Sequence, residues 1–191
     1  MGNREALIEG AKSCLLDKGF DRTSVRDIAT AAGVSMAAIG YHFGSREKLL
    51  LLAVTEILDE WGDISGRALI PDGEDLTPER AYVRMWEKNL EQVREHPRMW
   101  LVSMDLFMQA MRNPELREGL AAAMGEGRRG LAAILLGRAE DEVAEGDERG
   151  LGMVQMALMS GVAIQALSRP DAPPTGEEVL AGLRALVKLT G

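Results

Sequence analysis

Apolar side chains recur at helical spacing along almost the whole chain, and short polar or glycine-bearing breaks separate the runs. Leu7, Ile8, Ala11, Cys14 and Leu15 share one face of a helix expected over residues 4–18, which Gly19 ends. Val25, Ile28, Ala29 and Ala32 recur at i, i+3, i+4 and i+7, with Thr23 or Ser24 as cap and Asp27 in the first turn. Gly33 breaks that helix, since glycine adopts positive φ without steric cost. Ser35 is the expected cap of a third helix, with Ile39 inward and Met36, Ala37, Gly40, Tyr41 and His42 outward. Gly44 closes it and Ser45 opens a fourth, longer helix carrying Leu49, Leu50, Ala53, Ile57 and Trp61.

Residues 62–78, with their Gly-Asp, Pro-Asp-Gly and Thr-Pro steps, read as a loop. Thr77-Pro78 is a cap followed by proline at the first helical position, and the next helix places Tyr82, Met85, Trp86, Leu90 and Val93 on one side. After His96-Pro97 comes a helix with Trp100, Met104, Phe107, Met108 and Met111. Asn113-Pro114 repeats the cap-and-proline device and starts a longer helix, in which Gly125, Gly127 and Gly130 predict a bend, a break or a close helix approach. Acidic residues 140–148 mark a turn. Residues 149–168 read as a helix apolar nearly all round, and Thr175-x-x-Glu178 is a capping box for the last helix. No alternating strand pattern appears, so the expected fold is all-α with about nine helices.

Composition agrees with this reading. The chain is 46 % apolar but 4 % aromatic, so its core is built mainly from Leu, Ala, Val, Met and Ile, which favours helices. The polar start Met-Gly-Asn-Arg-Glu is unlike a secretory signal, and no apolar run reaches the ~18 residues of a spanning helix. A cytoplasmic protein without a membrane partner is therefore expected. Cys14 is the single cysteine and lies on an apolar stripe, as a buried structural thiol would. The net charge of −8 is unevenly spread: residues 1–50 hold 7 basic and 6 acidic side chains, residues 51–191 hold 15 and 24. A near-neutral first segment can meet phosphate locally although the second is acidic.

Two short helices joined by a glycine turn form a helix-turn-helix, whose second helix enters the DNA major groove. The residues T-S-V-R-D-I-A-x-x-A-G-V-S, then A-A-I-x-Y-H-F-G-S-R-E-K-L, resemble the tetracycline-repressor (TetR) family of bacterial regulators closely over residues 23–50. The resemblance implies a helix-turn-helix DNA-binding domain over residues 1–48 and a helical ligand-binding and dimerisation domain over 49–191. It implies DNA contacts from Thr23 or Ser24 and Arg26 to phosphate, from Ser35, Met36, Ala37, Ala38 and Gly40 to base edges, and from Tyr41 and His42 to backbone or bases. Arg46 and Lys48 are further phosphate candidates. Relatives often carry Tyr where Gly40 stands and Lys where Met36 stands. Readout would accordingly lean on thymine methyls and DNA shape.

The resemblance further implies a small apolar or amphipathic effector in the second domain, with Met85, Trp86, Trp100, Met104, Phe107, Met108 and Met111 as candidate lining. By spacing alone the same stripe is ordinary core. The helix over 149–168 reads as too apolar for one protomer to cover, which points to a homodimer, the alternative being a buried central helix in a monomer. Its candidate interface is Met153, Met156, Ala157, Ser160, Gly161, Ile164, Val179, Leu183, Leu186 and Val187. Glu-x-x-His pairs, zinc-spaced Cys/His groups, phosphate-cradling loops and nucleophile elbows are missing, so no enzyme, metal or cofactor is expected. The expected function is a ligand-responsive regulator, a repressor that leaves a pseudo-palindromic double-stranded operator when effector binds. The alternative is a helical ligand-binding or interaction protein that has lost operator binding.

Overall fold

The computed structural model describes residues 2–69 and 76–190, and among these residues the chain is all-helical. Nine helices follow one another there: α1 Asn3–Lys18, α2 Val25–Ala32, α3 Met36–Phe43, α4 Arg46–Leu69, α5 Pro78–Glu95, α6 Pro97–Ala110, α7 Pro114–Leu136, α8 Glu145–Ser168 and α9 Gly176–Thr190. A short 3-10 turn, Glu140–Glu142, stands between α7 and α8.

The chain divides into two compact units that interleave in sequence. One comprises Met1–Trp61 with Arg98–Leu120, the other Gly62–Pro97 with Ala121–Gly191. Compactness therefore groups α6 and the start of α7 with α1, α2, α3 and most of α4.

In the first unit the predicted stripes become one core. Leu7, Ile8, Ala11, Cys14 and Leu15 of α1 meet Ile28 of α2, Ile39 of α3, and Leu49, Leu50, Ala53, Val54 and Ile57 of α4, with Val102, Leu106 and Ala110 of α6. The breaks work as their chemistry dictates. Gly33 takes φ 64, which lets Val34 N–H reach back to Ala29 O at 3.0 Å and end α2. Ser24 and Asp27 form a reciprocal capping box. Ser45 Oγ accepts from Lys48 N–H at 3.1 Å and starts α4. Lys12 is buried on α1, and burial by itself would lower its pKa. Glu60, Glu56 and Glu9, at 2.7, 3.0 and 3.1 Å from its Nζ, outweigh that effect and raise it.

Three expectations need correction. Residues 62–69 are helical and not loop: Gly62 and Gly66 are tolerated inside α4, each at a cost of about 1 kcal/mol. The remaining predicted loop residues 70–75 lie outside the described residues. Ser35 makes no side-chain cap bond, and the start of α3 is tied instead by Ala38 N–H to Ser35 O at 3.0 Å. The helix expected from 149 starts at Glu145, with a wide π-type turn at Glu148–Gly152. Glu148 is buried there between Arg129 and Arg128, at 2.9 and 3.5 Å. The longer α8 is apolar and long enough, at mean hydropathy 1.5, to pass for a membrane span, although the core helix of a soluble protein passes the same test.

The second unit packs α5 on α7, α8 and α9. Met85, Trp86 and Met159 are buried among Tyr82, Leu131, Ile134, Leu135, Leu158, Val162 and Val179. Of the glycines in α7, Gly127 fulfils the close-approach expectation, since a Cβ there would stand 2.8 Å from Met156 Cε. The Thr175–Glu178 capping box forms as expected, with Thr175 N–H on Glu178 Oε2 at 2.9 Å and Glu178 N–H on Thr175 Oγ1 at 3.2 Å.

Candidate nucleic-acid interface and second-unit sites

The third helix turns small, polar and apolar side chains outward together. Burial of Ile39 fixes the rotation of α3, so Ser35, Met36, Ala37, Gly40, Tyr41 and His42 are exposed, while Ala38 is half-buried against the core. Tyr41 is 86 % exposed, and its ring meets His42 edge-on at 4.9 Å between centroids. Gly40 has ordinary helical backbone and open space where a Cβ would stand. Nothing inside the chain requires a glycine there.

Around this face the phosphate candidates separate by burial. Ser24, Arg26 and Lys48 are exposed. Ser24 already serves the capping box, donating to Asp27 Oδ2 at 2.6 Å. Lys18 Nζ at 2.6 Å, with Ser24, holds the Asp27 carboxyl well below the usual carboxylate range.

Two candidates turn out to be internal. Thr23 is fully buried, and its hydroxyl donates to Gly19 O at 2.8 Å with Cys14 O at 3.3 Å, so its side chain does not reach a phosphate. Arg46 has only 20 % of its side chain exposed. Its guanidinium donates to the Thr23 and Phe20 carbonyls and lies 5.6 Å over the Phe20 ring. It staples α4 to the loop before α2, satisfying two carbonyls that no helix pairs. Arg4, not among the candidates, has its guanidinium 5.7 Å over the Phe43 ring, which brings a cation to the end of α3. Its position on α1, remote in sequence from α3, carried no signal.

The candidate effector lining falls into two groups. Met85 and Trp86 are buried in the second unit. Trp100, buried, and Met104, Phe107, Met108 and Met111, partly or well exposed, lie on or just after α6 in the first unit. Within the second unit, clefts of about 560 and about 530 Å³ open beside α9. The first is lined by Glu79, Arg80, Val83, Arg84 and Arg184 among others, the second by Val162, Arg169, Pro173 and Glu178 among others, and neither touches the seven candidates.

The interface candidates on α8 and α9 are mostly open. Met153, Ile164, Leu186 and Val187 are well exposed, as is Ala157, and Ser160, Gly161 and Leu183 are half-buried. Met156 turns inward to Gly127, and Val179 packs on the core around Trp86. Among the described residues, no group of three or more His, Cys, Asp or Glu is placed to hold a metal.

These features define a class: a helix-turn-helix protein joined to an all-helical second unit. Residues 7–53 match the family described as bacterial regulatory proteins, tetR family, and residues 77–189 match the tetracyclin repressor-like C-terminal domain. The chain belongs to the TetR family. Among curated relatives, the transcriptional repressor AcnR of Corynebacterium efficiens is 38 % identical over 56 residues, which is 29 % of this chain and 30 % of that protein. The chain thus spans under a third of AcnR. PksA of Bacillus subtilis, a transcriptional regulator, is 24 % identical over 172 residues, covering 87 % of this chain and 80 % of PksA. The solved structure of the multidrug binding protein EbrR with proflavin shares the fold, at TM-score 0.67 and 23 % identity over 95 % of this chain and 99 % of that one.

Proposed function

We propose that this chain is a homodimeric, ligand-responsive transcriptional regulator, a repressor that binds a pseudo-palindromic double-stranded operator and releases it when a small apolar or amphipathic effector binds the second domain. The observation that carries the reading is the outward face of α3. Ser35, Met36, Ala37, Gly40, Tyr41 and His42 are exposed together, and Gly40 leaves room for an outside surface to approach the helix backbone. Residues 1–48 do the reading, and residues 49–191 bind ligand and dimerise.

Phosphate contacts come from Arg26, Lys48 and Arg4, with Ser24 close by, and the uncapped Ser35 hydroxyl is available to the groove. Met36 and Ala37 present apolar surface to thymine methyls, the one apolar feature of the groove floor. Dimerisation through α8 and α9 places two heads on one duplex, so half-sites should lie about one helical turn, or a multiple, apart. Effector acts by binding more tightly to a dimer whose head spacing no longer fits. AcnR and PksA, a repressor and a regulator, and EbrR, which holds proflavin, support the reading. The regulator proposed is cytoplasmic, works without a membrane, metal or cofactor partner, and is not a catalyst.

Selection of bound duplexes from a random pool tests this. The expected result is enrichment of one pseudo-palindrome, lost when Tyr41 and Lys48 are both changed to Ala. A pool that stays unenriched supports the alternative, a helical ligand-binding protein without operator binding.

A further inference from the structure

The buried face that α5 turns toward α8 is not simply apolar. Tyr82 Oη donates to Gln155 Oε1 at 2.9 Å, and this consumes one end of the Gln155 amide. The other end, Nε2, is buried without a partner. Exchanging the amide's oxygen and nitrogen would only move the deficit, because one end faces Tyr82 in either orientation. Two turns along α5 from Tyr82, about 10 Å away, Asn89 is 95 % buried with its Oδ1 unpaired, and Gln92 Oε1 continues the stripe. The Trp86 indole N–H leans on the Tyr82 hydroxyl without a well-aligned bond. Burial pushes the Tyr82 phenol up in pKa, and its contacts with Trp86 and Gln155 offset only part of that, so it stays protonated and neutral.

A folded chain rarely leaves several buried polar atoms unpaired on one face, since each loses its water for nothing in return. Asn89 follows Met85, and Gln155 precedes Met159, by one helical turn, and the flexible thioethers of the buried Met85 and Met159 can move aside for a guest. The side chains of the face, Tyr82, Met85, Trp86, Asn89, Gln155 and Met159, carry no formal charge. Glu87, the nearby carboxylate on α5, is exposed and paired with Arg84. A buried ion would have no counter-charge, whereas a neutral group with both a donor and an acceptor would complete the amides.

We infer that the effector site of this chain lies on the α5–α8 face and takes an uncharged molecule with hydrogen-bonding groups at both ends, held by Asn89 and Gln155. This deepens the ligand-responsive reading and rests on it. The site would select against organic cations of the proflavin kind found on EbrR.

Three isosteric probes isolate charge: terephthalamide, its dicarboxylate and its diamidine. Their binding to the full-length dimer is followed by calorimetry and by thermal shift. The expected result is that terephthalamide binds at least tenfold more tightly than either charged isostere. Asn89→Leu and Gln155→Leu each lose at least tenfold of that affinity, while the melting temperature without probe holds or rises. Equal or tighter binding of a charged isostere overturns the inference. So does failure of terephthalamide to bind, or its undiminished binding to both variants. Operator affinity measured on the same preparations separates the two readings. Amide-selective binding without operator binding removes the regulator and leaves the site, and the reverse result removes the site alone.

Discussion

The first unit buries a continuous core from Leu7 on α1 to Leu116 on α7 and leaves Leu101, Phe107, Met108 and Met111 exposed, whereas the second builds a smaller cluster around Met85, Trp86 and Met159 and exposes apolar positions along two whole helices. Met153, Val154 and Ile164 of α8, with Leu186, Val187 and Leu189 of α9, are all exposed. In the head, the exposed face of α3 mixes small and polar side chains with Met36 and Tyr41, and the helix rotations are set by buried residues such as Ile28 and Ile39. The head is thus complete as a folded body. The second unit presents apolar helix faces that a second copy would cover. In the proposed dimer, a finished reader and a face still to be covered belong to one chain, and assembly would link them.

The largest effect should come from charging that interface. Ile164→Arg places two unpaired cations across a two-fold contact. It should yield monomer in sedimentation and weaken operator binding roughly thousandfold, or about 4 kcal/mol. Ile28→Ala is its counterpart, costing the head about 3 kcal/mol in thermal melts while the dimer stays assembled. If Ile164→Arg remained dimeric, the contrast between the units would lose its meaning.

Next comes the pair Arg46 and Lys48, two neighbouring cations with opposite assignments. Arg46→Ala strands the Phe20 and Thr23 carbonyls and should destabilise the head by about 2 kcal/mol. Lys48→Ala should leave stability within about 0.5 kcal/mol and make the log–log salt dependence of DNA binding shallower by about one unit. Exchanged outcomes would return Arg46 to the phosphate.

Gly40→Ala separates folding from reading. The added Cβ meets nothing in the chain, so stability should rise by about 1 kcal/mol. Operator affinity should fall several-fold in the same preparation, because the methyl intrudes on the approaching groove. A gain in both would mean that α3 does not approach DNA through this position.

The smallest effect is a pH response confined to the head. The Asp27 carboxyl is held below its ordinary pKa by Lys18 and Ser24. Its contribution is fully present above the unfolded value of about 4 and is lost as pH falls through the lower folded value. Melting curves between about pH 6 and about pH 2 should show the head weakening on acidification, and Asp27→Asn should flatten that slope.

Much of this organisation was legible because punctuation residues act locally. Gly33 needs its positive φ, Gly44 closes α3, and Thr77-Pro78 and Thr175-x-x-Glu178 cap their helices whatever lies around them. The outward face of α3 followed from the placement of Ile39 alone. Features that depend on distant partners were hidden. Arg46 reads as a surface cation until the Phe20 and Thr23 carbonyls fold beneath it, and Thr23 reads as a cap until its hydroxyl meets Gly19 and Cys14. Gly62 and Gly66 read as loop, yet α4 runs through them to Leu69. Asn89 and Gln155, polar residues on helices far apart in sequence, gave no sign that both are buried.

The central claim is that two heads on one dimer read one duplex. It is tested most directly by titrating a selected pseudo-palindromic duplex with the protein in an analytical ultracentrifuge across a salt series. The expected result is two chains per duplex, affinity that falls steeply with salt, and loss of the complex when the half-site spacing is changed by half a helical turn. Binding that ignores half-site spacing, or a complex with one chain per duplex, would contradict it.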